Sequence, residues 1–136
     1  MIEGRCYCGA VRYRYDGVLG PIALCHCSQC RQASGAPFAA NSPIAAAGFR
    51  LVRGADAITE YVGAGDKKRA FCRHCGSPLY SRRDARPETL RLRMGTVTSP
   101  VDARPSHHIY AASCADWFPI TDDLPRYAEM EDSPRL

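Results

Sequence analysis

The clearest pattern along the chain is the alternation of apolar with charged side chains. Residues 10–15 read Ala-Val-Arg-Tyr-Arg-Tyr, and residues 89–94 place Leu90, Leu92 and Met94 on one face with arginines on the other. A period of two residues is typical of a half-buried strand. Shorter runs that favour strands lie at 22–25, 36–41, 57–62, 69–72 and 108–111. Turn-forming glycines separate them, and the pattern therefore predicts a mainly β protein.

Helical periodicity is scarce. Short helical turns are expected only after Cys27 and over residues 123–130. We find no repeat, linker or low-complexity tract, and so predict one domain over residues 1–130 followed by a C-terminal tail at 131–136. No apolar run reaches the roughly 20 residues of a membrane helix, and the first residues lack the pattern of a signal peptide. We therefore expect a cytoplasmic protein with no membrane partner.

Composition fits a globular domain, with 46% hydrophobic and 24% charged residues and a net charge of +4. The charge is uneven, because residues 1–115 carry 16 basic and 8 acidic side chains and residues 116–136 carry 2 and 6. A basic body can attract nucleic acid or an acidic substrate. A solvated, arginine-rich surface is the interpretation we favour, and nucleic acid is not an expected partner.

Cysteine is the residue type that narrows the chemistry. The chain has 8 cysteines, and two pairs of them, Cys6 with Cys8 and Cys25 with Cys27, are separated by a single residue. Such clusters in a cytosolic chain favour metal binding over disulfides. Seven of the eight fall into three motifs, which are Cys6-Tyr7-Cys8-Gly9, Cys25-His26-Cys27-Ser28-Gln29-Cys30 and Cys72-Arg73-His74-Cys75-Gly76.

The Cys72/Cys75 motif is a metal-binding knuckle, with two intervening residues and a following glycine. A structural zinc needs four ligands, and Cys6 and Cys8 can supply the other two. A four-thiolate zinc of this kind would contribute on the order of 10 kcal/mol to folding, by analogy with zinc-finger peptides. The alternative is that Cys72 and Cys75 share a metal with two of the middle cysteines.

The remaining trio is Cys25, Cys27 and Cys30. Three protein ligands with an open fourth position are typical of a catalytic zinc. The alternative is a closed structural site whose fourth ligand is one of the four histidines, His26, His74, His107 and His108. Three thiolates reduce the charge of the metal, so that a bound substrate thiolate stays electron-rich and water is activated poorly. Thiol chemistry is therefore favoured over hydrolysis.

These motifs together resemble the family of glutathione-dependent formaldehyde-activating enzymes, which includes centromere protein V. The resemblance covers nearly the whole chain, with weaker matches at Gly95-Thr96, His108-Ile109, Trp117 and Asp123-Leu124-Pro125. It is carried by Gly4-Arg5-Cys6-Tyr7-Cys8-Gly9-Ala10-Val11-Arg12-Tyr13, by Cys25-His26-Cys27-Ser28-Gln29-Cys30-Arg31 with Ser34-Gly35-Ala36-Pro37-Phe38, and by Arg69-Ala70-Phe71-Cys72-Arg73-His74-Cys75-Gly76-Ser77-Pro78-Leu79.

The resemblance implies a β-tent of small, coiled antiparallel sheets with few short helices, distantly shared with methionine-R-sulfoxide reductases. It implies two zinc ions, one held by Cys6, Cys8, Cys72 and Cys75 and a second, more weakly bound, at Cys25, Cys27 and Cys30. It also implies a carbon–sulfur lyase of the S-(hydroxymethyl)glutathione synthase type. In that reaction a thiol, glutathione, binds the open zinc position and adds to formaldehyde or a similar small electrophile.

Two departures from the family pattern leave the substrate open. Residues 95–100 read Gly-Thr-Val-Thr-Ser-Pro where many relatives have a leucine and acidic residues, and Cys114 replaces a basic or small residue. Cys114 can serve as the nucleophile of a methionine-sulfoxide-reductase-like enzyme, although a small buried apolar role is the interpretation we favour. The third alternative is a zinc module without enzymatic activity. Trp117-Phe118 is expected to fill a core, and Arg5, Arg31 and Arg73 are equal candidates to balance thiolate charge or bind carboxylates.

Overall fold

A computed structural model describes the whole chain, residues 1–136. It confirms a mainly β protein with two sheets and one short α-helix. Short 3-10 turns lie at Ala46–Gly48, Ala55–Ala57, Met94–Thr96 and Ala111–Ser113. The strands are β1 Ile2–Arg5, β2 Arg12–Tyr15, β3 Ile22–Cys25, β4 Ala39–Ala45, β5 Phe49–Arg53, β6 Ile58–Val62, β7 Lys67–Cys72, β8 Pro78–Arg83, β9 Thr89–Arg93 and β10 Pro105–Ile109, and the helix is α1 Ser28–Ser34.

The chain divides into two compact units. The first comprises Met1–Gly20 and Ser42–Asp102, and the second comprises Pro21–Asn41 and Ala103–Leu136. The first unit contains the antiparallel sheet β1-β2-β5 and the strand order β4-β9-β8-β7-β6. The second contains β10, β3 and the beginning of β4 in that order, together with α1.

Strand β2 shows how the alternating pattern builds the core of the first unit. Its two arginines are exposed, whereas Tyr13 and Tyr15 are almost fully buried. Tyr13 packs against the ring of Phe49 at 5.1 Å between centroids, and its hydroxyl lies 2.7 Å from Oγ1 of Thr96. A buried phenol needs such a partner, because an unpaired hydroxyl loses its hydrogen bonds with water. The cysteines Cys6 and Cys72 belong to the same core.

The second unit is organised by strand β3, whose four residues are all buried. Strand β4 pairs with it antiparallel on one side, with Cys25 opposite Ala39. Strand β10 pairs with it parallel on the other, with Ile109 opposite Cys25. The expectation of purely antiparallel sheets is therefore wrong for this pair. A strand buried on both sides reads as a continuous apolar run without alternation, as residues 22–25 do.

One sequence expectation differs from the structure in the last quarter of the chain. No helix forms over residues 123–130, because Arg126 and Tyr127 in this segment form isolated β-bridges with His108 and Arg135. His108 N donates to Pro125 O at 2.8 Å, and Tyr127 N donates to His108 O at 3.0 Å. Within the segment predicted as a tail, Leu136 N donates to Arg126 O at 2.7 Å. None of the helices is long and apolar enough to cross a membrane.

Candidate metal centres

Four cysteines converge in the first unit. Cys6 follows β1, Cys8 lies two residues on, Cys72 ends β7 and Cys75 lies in the turn before β8. Their sulfur atoms all lie within 4.8 Å of one another. The Sγ atoms of Cys6 and Cys8 are 3.7 Å apart, and those of Cys8 and Cys72 are 3.8 Å apart. Zn–S bonds of about 2.3 Å place tetrahedral ligand sulfurs about 3.8 Å apart, so this donor set fits zinc.

Glycines shape the two turns that bring these cysteines together. Gly9 N donates to Cys6 O at 3.1 Å, and Gly76 N donates to Cys72 O at 2.7 Å. Both glycines adopt left-handed backbone, with φ of 80° and 79°, which other residues adopt at a cost. The two cysteine motifs therefore form matching loops, as the glycine after each motif in the sequence suggests.

Polar groups near two of the four sulfurs, those of Cys6 and Cys75, favour thiolate over thiol. Val11 N donates to the Sγ of Cys6 at 3.3 Å. The Ser77 hydroxyl, whose oxygen lies 3.4 Å from the Cys75 Sγ, lowers the pKa of that thiol to about 5. Hydrogen bonds to the charged form stabilise it, as in other low-pKa cysteines. A thiolate is the form that binds metal.

Two arginines close the first cysteine loop. The Arg5 guanidinium donates to Cys6 O at 3.3 Å and to Tyr7 O at 3.1 Å, and Arg53 donates to Gly9 O at 2.8 Å. Four thiolates around one Zn²⁺ carry a net charge of −2, which nearby guanidinium groups offset. Of the three arginines proposed from sequence to balance thiolate charge, Arg5 has this position, and Arg53 is one that sequence reasoning missed.

Three cysteines converge separately in the second unit. Cys25 ends β3, Cys27 caps the N-terminus of α1, and Cys30 lies in the first turn of that helix. Their sulfur atoms lie within 4.8 Å of one another, and no histidine or carboxylate belongs to the group. Cys30 N donates to the Sγ of Cys27 at 3.3 Å, so the helix cap itself orients one of the sulfurs. Cys25 and Cys30 are buried, whereas Cys27 is half-buried.

The three sulfurs are close enough to control one another's ionisation. The side chains of Cys27 and Cys30, followed by burial, raise the pKa of the Cys25 thiol. Three thiolates at this separation repel one another unless a cation lies among them. The group is therefore suited to a soft divalent metal such as zinc, whose binding would release the thiol protons.

A chain of buried hydrogen bonds leads away from this cluster through His26. Nε2 of His26 lies 2.7 Å from Nδ1 of His108, and Nε2 of His108 lies 3.0 Å from both carboxylate oxygens of Asp122. The His108 hydrogen bond lowers the pKa of Asp122, which is therefore a carboxylate that can only accept. His108 must then donate from Nε2 and accept at Nδ1, and His26 must donate from Nε2.

This arrangement leaves Nδ1 of His26 without a proton. That atom is buried and has no hydrogen-bond partner. Burial, with the positive charge of nearby groups, lowers the pKa of His26 to about 4, so the ring is neutral at pH 7. Sequence reasoning treated His26 only as a possible fourth ligand. Strand alternation between Cys25 and Cys27 was the available signal that His26 faces away from the sulfurs.

Aromatic rings extend outward from His26. Its ring centroid lies 5.5 Å from that of Phe38, which lies 6.1 Å from Phe118, which in turn lies 6.1 Å from Trp117. Trp117 is 64% exposed, so the expectation that it fills a core is wrong. Cys114 is also exposed, which contradicts the interpretation of this residue as a buried apolar side chain. Arg31 donates from Nε to His26 O at 3.2 Å and so braces the cysteine loop.

Known proteins resemble this chain over most of its length. The model of the glutathione-dependent formaldehyde-activating enzyme family matches residues 1–113. A Halomonas elongata protein with the provisional name of glutathione-dependent formaldehyde-activating enzyme is 29% identical over 127 residues, which span 88% of this chain and 81% of the relative. A crystal structure of a Rhodobacter sphaeroides protein is similar with a TM-score of 0.61 and 29% identity, covering 74% of this chain and 91% of that one.

Proposed function

Since this chain belongs to the glutathione-dependent formaldehyde-activating enzyme family, we propose that it adds a small thiol, such as glutathione, to formaldehyde or a similar small electrophile. The reaction class is that of a carbon–sulfur lyase of the S-(hydroxymethyl)glutathione synthase type. The proposed site is the cluster of Cys25, Cys27 and Cys30.

The observation that carries the proposal is the difference between the two cysteine clusters. One contains four sulfurs, which is a complete tetrahedral ligand set, and the other contains three with no histidine or carboxylate in reach. Four protein ligands are typical of a structural zinc, and three with a position open to substrate are typical of a catalytic one. The alternative in which His26, His74, His107 or His108 closes the second site has no support in this geometry.

Cys25, Cys27 and Cys30 would hold the second zinc, and Cys6, Cys8, Cys72 and Cys75 the first. Zinc bound by the trio would lower the pKa of an incoming thiol and keep its thiolate in place. In the proposed addition the thiol sulfur would form a bond to the aldehyde carbon, and the carbonyl electron pair would move to oxygen. That oxygen takes up a proton equivalent to the one the thiol released, so the product is a hydroxymethyl thioether.

The protein side chains around the trio position its loop. Nε2 of His26 is tied to His108, and the backbone oxygen of His26 accepts from Arg31, so the residue between Cys25 and Cys27 is held on two sides. Holding reacting groups in one geometry is a large part of catalysis in a bimolecular addition. Reduced cysteine clusters also suit the cytoplasm, where thiols stay reduced, and we propose that location.

The test is thiol-dependent consumption of formaldehyde by the zinc-loaded protein, measured against the uncatalysed rate. We expect glutathione to support turnover in the parent protein and Cys30→Ser to reduce it to the uncatalysed rate. Cys114→Ser is the matched control, because it removes a thiol outside both clusters. Equal rates of formaldehyde consumption by the parent and Cys30→Ser would contradict the proposal.

The exposed position of Cys114 favours one further candidate, a thiol reductase of the methionine-sulfoxide type. An accessible thiol is a requirement for such a nucleophile. In that case Cys114→Ser abolishes reduction of methionine sulfoxide coupled to a dithiol. Full activity in Cys114→Ser, or no activity in the parent, excludes it.

A further inference from the structure

Two arginines of the first unit flank a buried serine on adjacent strands. Arg69 of β7 is opposite Ser81 of β8, and Ser81 is opposite Arg91 of β9. Residues directly opposite one another share a face of the sheet, so the three side chains project from the same side. Ser81 is 2% exposed, and Arg93, two residues further along β9 on the same face, is also buried.

The spacing allows both guanidinium groups to reach one ligand. Neighbouring strands lie about 4.8 Å apart, so the Cα atoms of Arg69 and Arg91 are separated by about 10 Å across β8. The residue between them, Ser81, has a small side chain. Arginine also presents planar, forked donors that bind a carboxylate or phosphate with two hydrogen bonds.

The acidic residues of the neighbouring strands and turns are bound to other cations. Glu60 accepts from Arg82, Asp66 accepts from Arg83 at 3.0 Å, and Asp84 accepts from Lys68 and Arg82. Arg69 and Arg91 take part in none of these ion pairs. Arg69 and Arg91 thus flank Ser81 on a shared face. None of the carboxylates in these ion pairs offsets their charge.

A second observation concerns the Arg69 guanidinium itself. Nη2 of Arg69 is buried and has no hydrogen-bond partner. Arg69 as a whole is half-buried, but a buried polar atom without a partner loses its hydration without compensation. A ligand with negatively charged oxygens would satisfy this atom and reduce the repulsion between the two arginines.

We propose that Arg69 and Arg91, on either side of Ser81, form a binding site for a small oxyanion, a phosphate or carboxylate group. The guanidinium groups bind its oxygens from two sides, and the Ser81 hydroxyl lies beneath it. The site is separate from both cysteine clusters in its residues and does not depend on the proposed thiol chemistry.

The test is calorimetric titration of the zinc-loaded protein with inorganic phosphate, and separately with acetate, in buffers of matched ionic strength made with chloride. We expect saturable binding to the parent, weakened at least tenfold by Arg69→Met and by Arg91→Met, which keep an apolar stem and remove the charge. The stronger of the two ligands identifies the oxyanion class. Arg50→Met, an exposed arginine of strand β5, is the control for general charge effects and should bind as the parent does.

Cys30→Ser separates this site from a metal-bound anion. Unchanged phosphate affinity in Cys30→Ser supports the arginine site, and loss of binding there assigns the anion to the cysteine trio and overturns it. Absence of saturable binding by the parent to either anion also overturns it, as does parent-like affinity in both Arg69→Met and Arg91→Met. Thermal unfolding in chloride alone identifies any variant that fails to fold, and the other variant then decides.

Discussion

The Nε2 atom of His26 donates a hydrogen bond to Nδ1 of His108 at 2.7 Å, and both rings are buried. His26 lies between two cysteines of the three-sulfur cluster, and His108 is anchored by Asp122. The bond therefore ties the cysteine loop to strand β10, at a distance of 82 residues along the chain. Outer groups of this kind orient metal ligands without touching the metal.

Replacing His108 with phenylalanine should weaken the second metal site more than the first. The substitution keeps an aromatic ring and leaves the buried N–H of His26 without an acceptor. Loss of one such partner costs about 1–3 kcal/mol in the free energy of unfolding. Outer-group substitutions lower metal affinity by about 10–100-fold, and we expect that range for the weaker of two zinc equivalents in chelator competition.

His107→Phe is the matched control, because His107 is the neighbouring residue of strand β10 and its ring nitrogens lie near Ser106 and Glu131 and not near His26. The second zinc should bind to this variant as it does to the parent. Equal weakening of the second zinc site in His108→Phe and His107→Phe would mean that His108 affects metal binding only through the stability of the fold.

Cys72→Ser should unfold the first unit. Adding a chelator to this variant should then cause no further loss of structure. Cys72 is fully buried in the core, and its sulfur lies 3.8 Å from that of Cys8. Loss of a structural zinc removes on the order of 10 kcal/mol of folding free energy, which is as large as the stability of a typical domain. Circular dichroism with and without a strong chelator measures the effect.

The control for Cys72→Ser is Cys114→Ser, which should fold, retain both metals and unfold in chelator as the parent does. A Cys72→Ser protein with parent-like thermal stability and zinc content would contradict a structural role for the four-sulfur cluster.

Glu60→Gln should reduce the acid sensitivity of the fold. Arg82 donates to both oxygens of Glu60, and this bonding lowers the pKa of the carboxyl below its ordinary 4.5. A lowered folded-state pKa gives stability that is present above 4.5 and is lost as pH falls through the folded value. The variant should therefore be less stable at pH 7, by roughly 0.5–1 kcal/mol for this partly exposed pair.

Urea unfolding at several pH values between 7 and 3 measures this difference. The gap between the parent and Glu60→Gln should narrow below pH 4.5. If the free energies of unfolding of the two proteins differed by a constant amount across this pH range, the ionisation of Glu60 in its pair with Arg82 would contribute nothing to stability.

The alternating strands could be predicted from sequence because their pattern is local. β2, β3 and β9 lie within a residue or two of the predicted runs. β2 alternates in the expected period, β3 is a continuous apolar run, and the leucines of β9 are buried. β1 could not be predicted, because its Ile-Glu-Gly-Arg sequence has one apolar side chain. Its Gly4 leaves room for the ring of Tyr13, where a larger side chain would collide, so this strand depends on its partner.

The spacing of the cysteines along the chain predicts how they group. It does not predict the hydrogen bonds that surround the groups. Each trio or pair is local, so the 25–30 cluster and the 72–75 loop can be read directly from the chain. The bond between His26 and His108 joins two distant residues, and Asp122 lies in a loop with no pattern of its own. Arg53 closes the first cysteine loop through a contact 44 residues away, which spacing does not predict.

The central claim is that the Cys25, Cys27 and Cys30 site accepts a substrate thiol as its fourth ligand. Cobalt substituted at both sites reports this directly, because each thiolate bound to the metal adds sulfur-to-cobalt charge-transfer absorption. Titration with glutathione should raise that absorption saturably by one thiolate per chain in the parent and leave it unchanged in Cys30→Ser. An unchanged spectrum in the fully loaded parent at saturating glutathione would contradict the account.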